Sequence, residues 1–514
     1  MNIKSILLLI FTILNSIKAA KILAIFPTPA ISHQIVFRFL IKDLASRGHE
    51  ILMFTTDVPN FNNPNVTEVD WHSSYEFFYG NYSIAKNKQN NVSYFSSIDK
   101  LLGNLKELLY QQMSHEKIQK LIHESENYNF DVMIIENMMY FSYFPLAEIY
   151  NCPIIGITSY DTFNDNHEWN GNEANPILHP EKFFSFIQGP LTFSERFKVF
   201  AFFIMKNFFL TSKFDKIIQE LIEKFYPNYS INFDNLRNRV EFIMVNTHPA
   251  LGFIRPILPN TIQLGFMHIE EPKPIEDENL KKFLDDSENS VIYMSLGSSV
   301  KTKDLNNKTL EMFLKTFSNL KHGILWKFEG ETLPNVPQNV MIKKWFPQAD
   351  LLAHPYIKLF ITQGGQQSME EAIDRAVPMI VIPFIPEQHV NAKRIVQRNI
   401  GMFLDLNEIT EEILKKSIDE MLKPKYKKNI LKLRTLVHDQ PMTAREKAVW
   451  WTEYVIRNKG AKHLDYTGRK IPFYQKFFLD CIAVTFVVFL IIIFVIVLLF
   501  KCMKRFVKKK LKTE

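Results

Sequence analysis

The sequence predicts an α/β protein with two domains, each built on a parallel sheet, and one C-terminal membrane-spanning helix. Three observations lead to this prediction. Short apolar runs alternate with amphipathic segments, the alternation breaks before residue 291 and then restarts, and an uncharged apolar stretch lies near the end. The 514 residues are enough for two sizeable cores.

The first domain is predicted over residues 21–257. It opens with a strand at 21–26, a helix at 34–46 and a second strand at 50–55, which is the order of a βαβ unit. Later apolar runs predict further strands at 131–135, 154–158 and 241–246.

The second domain is predicted over residues 291–465, after a linker at 258–290 that is rich in proline and acidic residues. Helical patterns over 408–457, broken near Pro424 and Pro441, close the domain. A strand with its turn is predicted over 291–298, further strands are predicted at 324–328, 358–362 and 379–383, and a helix is predicted from about residue 388.

A phenylalanine-dense segment at 183–210 has two interpretations. Its apolar residues recur at helical spacing, but Arg196, Lys198 and Lys206 interrupt them, so the segment does not span a membrane. It is either a core helix, or it forms an apolar acceptor pocket or a helix on the lipid surface.

Two terminal segments predict the location of the protein. Residues 1–20 have the layout of a secretory signal peptide. Residues 478–500 are long and apolar enough to span a membrane, and the tail at 501–514 is strongly basic. We expect a type I protein of the endoplasmic reticulum membrane with a cytosolic tail that carries a dilysine-like signal. Five sequons agree with a lumenal body, at Asn65, Asn81, Asn91, Asn228 and Asn307.

The net charge of +7 comes from the two ends of the chain. The tail holds seven basic residues and one acidic residue, and the signal segment holds Lys4 and Lys18, so the remainder is near −1. No nucleic-acid-binding surface is expected. Among the three cysteines only Cys152 lies in the predicted lumenal body, which excludes an internal disulfide there.

A glycine pair marks a candidate anion site. The buried strand at 358–362 is followed by Gly364 and Gly365, and a helix begins near Gln367 or Ser368. Backbone N–H groups at such a turn approach an anion closely, and the helix dipole favours negative charge. Most turns of this kind bind nothing, so the residues around the turn decide.

Seven residues carry a resemblance to a known family, and they are Trp345, Gln348, His354, Gly365, Ser368, Glu371 and Gln388. Their spacing resembles the signature of the UDP-glycosyltransferases. The segments 295–298, 324–330 and 450–464 resemble the family too, so the resemblance covers essentially the whole chain. It implies two Rossmann-like doubly wound domains facing a cleft (GT-B), with the donor bound to the C-terminal domain.

The resemblance implies a role for each donor-site residue. Trp345 stacks on the uracil ring, and Gln348 lies near the uracil or ribose. Glu371 accepts hydrogen bonds from both ribose hydroxyls. The diphosphate is held by Ser298, Gln363, Gln367, Ser368 and the backbone of Gly364 and Gly365, and the sugar hydroxyls are held by Glu387 and Gln388.

The resemblance also implies the catalytic residues. His33, expected in the loop after the first strand, matches the general base that takes the proton from an acceptor hydroxyl. Glu136 stands where the family has an aspartate that orients the imidazole ring, and its extra methylene changes the reach. The implied reaction is an inverting transfer from an α-linked UDP-sugar to a β-glycoside.

Gln363 replaces a histidine that many members have, and Thr-Gln-Gly-Gly resembles the insect-type and baculoviral ecdysteroid branch. That branch generally uses UDP-glucose, so glucose is expected over glucuronate. The implied acceptor is a small lipophilic hydroxyl compound such as a steroid, a phenol or a xenobiotic, which suggests detoxification. A membrane-tethered, non-catalytic binder of lipophilic ligands is the alternative.

Motifs of other chemistries are missing. The sequence has no Asp-X-Asp, no H-E-x-x-H and no paired cysteines, so no metal is expected. It has no dinucleotide, P-loop or serine-hydrolase motif, so no cofactor is expected and the UDP-sugar is a co-substrate. Self-association into a homo-oligomer stays open.

Overall fold

The computed structural model describes residues 19–79, 83–90, 98–181, 184, 189–287 and 290–510. The predicted signal segment therefore lies almost entirely outside the described residues. The chain divides into two compact units, Met1–Asp465 and Tyr466–Glu514. The first unit holds both sheets, and the second holds the apolar C-terminal helix.

A seven-stranded parallel sheet forms the core of the first domain. Its strand order is β3-β2-β1-β4-β5-β6-β7, with the reversal between β1 and β4. The strands are β1 Lys21–Phe26, β2 Glu50–Thr55, β3 Val66–Asp70, β4 Val132–Glu136, β5 Ile154–Thr158, β6 Val240–Val245 and β7 Thr261–Gln263.

A six-stranded parallel sheet forms the core of the second domain. Its order, β10-β9-β8-β11-β12-β13, repeats the reversal of the first sheet between β8 and β11. The two sheets confirm the prediction of two doubly wound α/β domains. The strands are β8 Val291–Ser295, β9 Gly323–Lys327, β10 Val340–Lys343, β11 Ile357–Thr362, β12 Met379–Val381 and β13 Gly401–Phe403.

The helices of the first domain and of the connection after it are α1 Ile31–Ser46, α2 Ser74–Tyr79, α3 Ile84–Gln89, α4 Ile98–Met113, α5 Glu116–His123, α6 Phe144–Ile149, α7 Asn164–Trp169, α8 Phe193–Met205, α9 Thr211–Phe225, α10 Phe233–Leu236 and α11 Glu278–Asp286. A π-helical turn at Lys206–Leu210 joins α8 to α9.

The helices from the second domain onward are α12 Asn307–Ser318, α13 Gln348–Leu352, α14 Gln366–Asp374, α15 Pro386–Gln397, α16 Glu411–Met421, α17 Pro424–His438, α18 Ala444–Arg457, α19 Phe473–Lys476 and α20 Leu479–Lys510. The three helices α16 to α18 match the pattern predicted over 408–457.

The interior strands lie within two residues of their predicted bounds, whereas the strands at the sheet edges were missed. The range 258–290 predicted as a linker contains β7, which pairs with β6, and α11. The prediction that His33 lies in a loop was wrong. Helix α1 begins at Ile31, directly after the Pro27–Ala30 segment, and so includes His33 in its first turn.

Helix α3 belongs to the first domain in sequence but packs into the core of the second. Ala85 is fully buried among the apolar residues of that core. Around it, the Ser83 hydroxyl donates to Asp304 Oδ2 at 2.6 Å, and Lys88 Nζ lies 3.3 Å from Asp405 Oδ2. We call this contact between α3 and the second domain the α3 clasp.

Helix α18 comes from the second half of the chain but packs on the first domain. It lies within the range 291–465 predicted as the second domain, and that prediction is wrong for this helix, because its buried residues join the core of the first domain beside α1. Trp451 stacks on Phe242 of β6 with ring centroids 4.8 Å apart, and Arg47 donates to both oxygens of Glu453 at 3.0 and 3.1 Å. Each domain is thus completed by a helix from the other half of the chain.

In the second unit, residues Leu479–Lys508 of α20 form a helix long and apolar enough to cross a membrane. It is the one such helix in the part of the chain that the structure describes. A helix of this kind is consistent with membrane anchoring.

The α3 clasp predicts a large effect of Ala85→Asp on stability. The carboxylate would be buried without a partner in the second domain's core, and we expect the free energy of unfolding to fall by about 3 kcal/mol or more. Urea unfolding of the full chain measures this. Lys86→Asp, at the exposed neighbouring position, is the control and should be close to neutral. Equal stability of the two variants would contradict the clasp.

Candidate active site

The structure brings His33 and Glu136 into contact at the point where the first sheet reverses its strand order. His33 lies in the first turn of α1, and Glu136 is the last residue of β4. His33 Nδ1 is 2.6 Å from Glu136 Oε1, so the glutamate reaches the ring despite its extra methylene. The crevice at such a switch point is the usual ligand site of a doubly wound sheet.

The Glu136 carboxylate is fully buried, and both of its oxygens have partners. Oε2 accepts a hydrogen bond from the Thr28 backbone N–H at 3.1 Å, while Oε1 faces His33. Thr28 is itself held by a 2.5 Å hydrogen bond between its hydroxyl and that of Tyr140. The segment between β1 and α1 therefore fixes the carboxylate.

This contact determines which ring nitrogen of His33 can act on a substrate. If Nδ1–H donates to Glu136, Nε2 keeps its lone pair. The edge of the ring also packs on Tyr160, with centroids 5.4 Å apart. The pair therefore has the arrangement of a general base held by a carboxylate.

A cavity of about 360 Å³ lies beside the pair. Thr28, Met138 and Tyr160, which surround the His33–Glu136 pair, also line the cavity. Ile385 and Glu387 of the second domain also line it. Most of the surface is apolar, contributed by side chains such as Leu101, Leu105, Met139, Phe141, Phe202 and Phe214.

One part of the cavity wall is charged. Lys206 Nζ donates to Asp165 Oδ1 at 2.5 Å and to Glu181 Oε1 at 3.1 Å. Burial alone would lower the pKa of Lys206, but the two carboxylates raise it overall. This cluster adds three charged side chains to a cavity whose surface is mostly apolar.

The glycine turn lies at the reversal of the second sheet. Gly364 has φ +86°, and an added Cβ would lie 2.6 Å from Val381 Cγ1, so only glycine fits. Gly365 is the N-cap of α14 and provides no side-chain cap, which leaves the first N–H groups of the helix for a ligand. Asn391 Nδ2 supports the turn by donating to Gly364 O at 2.9 Å.

Gln363 packs against the turn that carries Ser298. Gly297 has φ +78°, and an added Cβ there would lie 2.1 Å from Gln363 Nε2. The Gln363 side chain is therefore buried against the backbone of the neighbouring strand end. Ser298 is half-buried and lies three residues after the end of β8, so the two residues flank the same crevice as the glycine turn.

Gln348, Ser368 and Glu371 form one hydrogen-bonded group. Gln348 Nε2 donates to Ser368 Oγ at 2.9 Å and to Glu371 Oε2 at 2.6 Å. Burial raises the pKa of Glu371 to about 7, and the hydrogen bond from Gln348 opposes that rise. The structure thus brings Gln348 and Glu371, predicted at the uracil and ribose, together with Ser368, predicted at the diphosphate.

Trp345 is 59% exposed, although the neighbouring Phe346 is buried. Lys327 Nζ lies 5.0 Å from the centroid of the indole ring and donates to Gly297 O at 2.6 Å. Burial lowers the pKa of this lysine, while Glu329, 3.1 Å away, raises it. The sequence analysis did not identify Lys327 as a site residue. A charged residue at the end of an otherwise apolar strand could have indicated it.

Two predicted residues are engaged differently from expectation. Gln388 is buried, and its Oε1 accepts from the backbone N–H of Phe384 at 2.8 Å, which caps its own helix. Gln367 Nε2 donates across the cleft to Ser159 O at 2.8 Å. Glu387, by contrast, lines the cavity.

A second glutamate lies behind the donor site. Glu370 is fully buried, with Oε1 accepting from Gln366 Nε2 at 2.6 Å and Oε2 accepting from Phe266 N at 3.1 Å. Burial raises its pKa to about 8 and lowers that of the adjacent His268 to about 4. His268 Nε2 is 3.2 Å from Gln367 O, so this group joins α14 to the segment after β7.

Residues 20–513 match the family described as UDP-glucoronosyl and UDP-glucosyl transferase. The chain belongs to this family. An ecdysteroid UDP-glucosyltransferase of Spodoptera littoralis nuclear polyhedrosis virus is 33% identical over 505 residues, covering 93% of this chain and 96% of the relative. UDP-glucuronosyltransferase 2B15 of Rattus norvegicus is 28% identical over 520 residues, covering 94% and 93%.

A solved structure supports the same fold. The crystal structure of the glycotransferase of kitacinnamycin aligns with a TM-score of 0.56 at 17% identity, over 86% of this chain and 99% of that chain. Together with the two parallel sheets, this confirms the GT-B-like architecture. Membership in the UDP-glycosyltransferase family implies a UDP-sugar donor.

Glu370 predicts a specific pH dependence of stability. An unfolded glutamate has a pKa of about 4.3. Since the folded pKa is raised, the folded state binds more protons between these values, and stability falls as pH rises from about 4.5 to about 8. Glu370→Gln removes this loss, so the melting temperature of the variant minus that of the wild type should increase over this window.

Thermal unfolding of the full chain at several pH values measures the difference. The control is Glu311→Gln, an exposed position on α12, for which the difference should stay flat. Parallel curves for Glu370→Gln and wild type would contradict the buried, protonated carboxyl.

Proposed function

We propose that the protein transfers glucose from UDP-glucose to a hydroxyl of a small lipophilic acceptor, with inversion at the anomeric carbon. The observation that carries this proposal is the His33–Glu136 pair, whose neighbours Thr28 and Tyr160 line a mostly apolar cavity together with Glu387 of the donor domain. We infer that an acceptor in this cavity lies close to both the base and the sugar. A histidine with only a structural role would not need a buried carboxylate on its ring beside a ligand cavity. The pair therefore supports catalysis over passive binding.

In the proposed reaction, His33 Nε2 takes the proton of the acceptor hydroxyl. The acceptor oxygen forms a bond to the anomeric carbon as the bond from that carbon to the β-phosphate oxygen breaks, and UDP leaves with the electron pair. The imidazolium that results is stabilised by Glu136 through Nδ1–H. Transfer of this proton to solvent returns His33 to its starting state.

The donor half of the proposal uses the glycine turn and the residues near it. The N–H groups at the start of α14 would hold the diphosphate together with Ser298, Gln363 and Ser368. Glu371 would accept from the ribose hydroxyls, and Trp345 would stack on the uracil. The proposal includes no metal and no cofactor, because the helix terminus and the neighbouring donors supply the countercharge.

Two observations support glucose over glucuronate. The viral relative at 33% identity is named for glucosyl transfer to an ecdysteroid. In addition, Glu387, which the resemblance places at the sugar hydroxyls, lines the cavity. A carboxylate accepts hydrogen bonds from neutral sugar hydroxyls but repels the carboxylate of glucuronate.

The cavity supports the acceptor class. A volume of about 360 Å³ with mainly apolar walls suits a compact lipophilic molecule such as a steroid or a phenol. The signal-like N-terminus and the C-terminal apolar helix support a type I protein of the endoplasmic reticulum membrane with a lumenal catalytic body.

His33→Ala should lower kcat for UDP release from UDP-glucose, in the presence of mixed phenols, by about 10²- to 10⁴-fold. UDP affinity, measured by calorimetry, should be unchanged because His33 belongs to the other domain. Glu136→Gln should lower kcat less, since the amide still orients the ring but carries no charge. The control is His123→Ala, at an exposed position at the end of α5. Undiminished turnover in His33→Ala would exclude this residue as the base.

Glu387→Ala should change kcat/KM for UDP-glucose and for UDP-glucuronate to different extents. We expect kcat/KM for UDP-glucose to exceed that for UDP-glucuronate in the wild type, and the variant to lose about 10- to 100-fold with UDP-glucose while changing little with UDP-glucuronate. Single-donor assays with one shared phenol give the ratio. Glu408→Ala, on the surface of the same domain, is the control. A wild type that prefers UDP-glucuronate would contradict the donor assignment.

A further inference from the structure

Helix α8 and the π-helical turn after it line part of the cavity. Phe202, Lys206 and Leu210 follow one another at intervals of four, which places them on one face of the helix, and all three line the cavity. They belong to the phenylalanine-dense segment of the sequence, and their position supports its interpretation as part of an acceptor pocket. Lys206 thus lies between two apolar lining residues, at a π-helical turn, a feature that is frequent at functional sites.

Two carboxylates that also line the cavity hold Lys206. Its Nζ is 2.5 Å from Asp165 Oδ1 and 3.1 Å from Glu181 Oε1. The Lys206 side chain is 16% exposed and that of Glu181 is 8% exposed, so charged groups are withdrawn from water beside a mostly apolar surface. Replacing a buried cluster of this kind with apolar residues is often neutral or stabilising. Stability alone therefore does not account for the cluster.

The Lys206 ammonium has one more hydrogen-bond donor than the two carboxylates use. A lysine ammonium carries three N–H groups, and Asp165 and Glu181 accept from two of them. Among the described residues, the hydrogen bonds of Lys206 Nζ go to these two carboxylates alone. Because Lys206 lines the cavity, an oxygen atom of a bound molecule can accept from the third N–H.

We propose that Lys206 determines acceptor specificity by donating a hydrogen bond to a second oxygen of the acceptor, a ketone or hydroxyl oxygen distinct from the hydroxyl that reacts. This inference rests on the function proposed above. It narrows the acceptor class to neutral compounds that carry oxygen at two positions of an apolar frame. Lys206 takes no part in the proton transfer, because the oxygens of Glu136 are bonded to Thr28 and His33.

The other charges of the cavity disfavour an anionic group as the partner of Lys206. The described lining residues include three carboxylates and two cations. The second cation, Arg237, is paired with Asp215, which lies outside the lining, and its guanidinium is 5.4 Å from the ring centroid of Trp169. A carboxylate on the acceptor would lose its hydration and meet an excess of negative charge, whereas a neutral oxygen avoids this cost. The charged lining residues are Asp165, Glu181, Lys206, Arg237 and Glu387.

The experiment compares acceptors that differ only in the second oxygen. Estrone and its deoxy analogue, in which a methylene replaces the ketone, share one phenolic hydroxyl and one apolar frame. Hydroxybiphenyl with and without an acetyl group on the second ring repeats the comparison on a shorter frame. A carboxylate analogue of estrone tests the charge argument. The full chain is assayed in nanodiscs with UDP-glucose, and kcat/KM for UDP release is measured for each acceptor.

The variant is Lys206→Met, which removes the donors and keeps most of the apolar volume. The matched control is Lys213→Met on α9, because Lys213 also forms an ion pair, 2.7 Å from Asp99, but does not line the cavity. Lys206→Arg is the conservative variant, since a guanidinium also donates. UDP affinity, measured by calorimetry, shows whether each variant is folded. If Lys206→Met fails this check, the same change together with Asp165→Asn and Glu181→Gln removes the carboxylates left without a partner.

We expect the wild type and Lys213→Met to prefer a ketone over its deoxy partner by about 10-fold or more in kcat/KM on at least one frame, and to use the carboxylate analogue least. Lys206→Met should lose this preference, and Lys206→Arg should retain part of it. A purely structural role would lower kcat/KM for ketone and deoxy acceptors by the same factor. That result would overturn the proposal, as would a wild type without the preference or a Lys206→Met variant that keeps it.

Acceptor affinity distinguishes a failure of this inference from a failure of the proposed function. Calorimetry gives the affinity of the wild type and the variants for each ketone and its deoxy partner, and comparison between variants cancels the partition of the compounds into lipid. If no acceptor supports UDP release, the proposed function fails. Tighter binding of the ketone that depends on Lys206 would then still support the inference, and equal binding of the two compounds would overturn it.

Discussion

The reversal of strand order in each sheet is the constraint on which the site depends. Between β1 and β4, and again between β8 and β11, the connections leave in opposite directions and open a crevice at the carboxyl ends of the strands. His33 and Glu136 flank the first crevice, and Ser298 and Gln363 flank the second. In the proposed mechanism, the two halves of the chain therefore use the same topology for different tasks, one for proton transfer and one for binding an anion.

The buried strands could be predicted from the sequence because burial on both faces leaves a continuous apolar run. The four strands that were missed, β3, β7, β10 and β13, are the edges of the two sheets. An edge strand pairs on one side only, so it needs few apolar residues and can be as short as Thr261–Gln263. The start of α1 was also missed, since Ala30 provides no side-chain cap.

The candidate site was predictable in its residue types more than in its contacts. Spacing identified the residues around the glycine turn, and the contact between His33 and Glu136 is present at 2.6 Å. Side-chain direction depends on neighbours that are distant in sequence. Gln388 turns back to accept from the backbone N–H of Phe384 at the start of its own helix, and Gln367 donates to the backbone oxygen of Ser159 in the other domain.

The crossings of α3 and α18 mean that the packing of this protein does not divide where its sequence does. A hybrid enzyme that joined the first half of this chain to the second half of a relative at residue 290 would put Ala85 against an unfamiliar core and would remove α18 from its native position beside α1. A transplant of the donor half should therefore carry residues 83–90 with it, and leave α18 with the acceptor half. The parts of such a chain that recombination can exchange without disturbing the packing are therefore discontinuous in sequence.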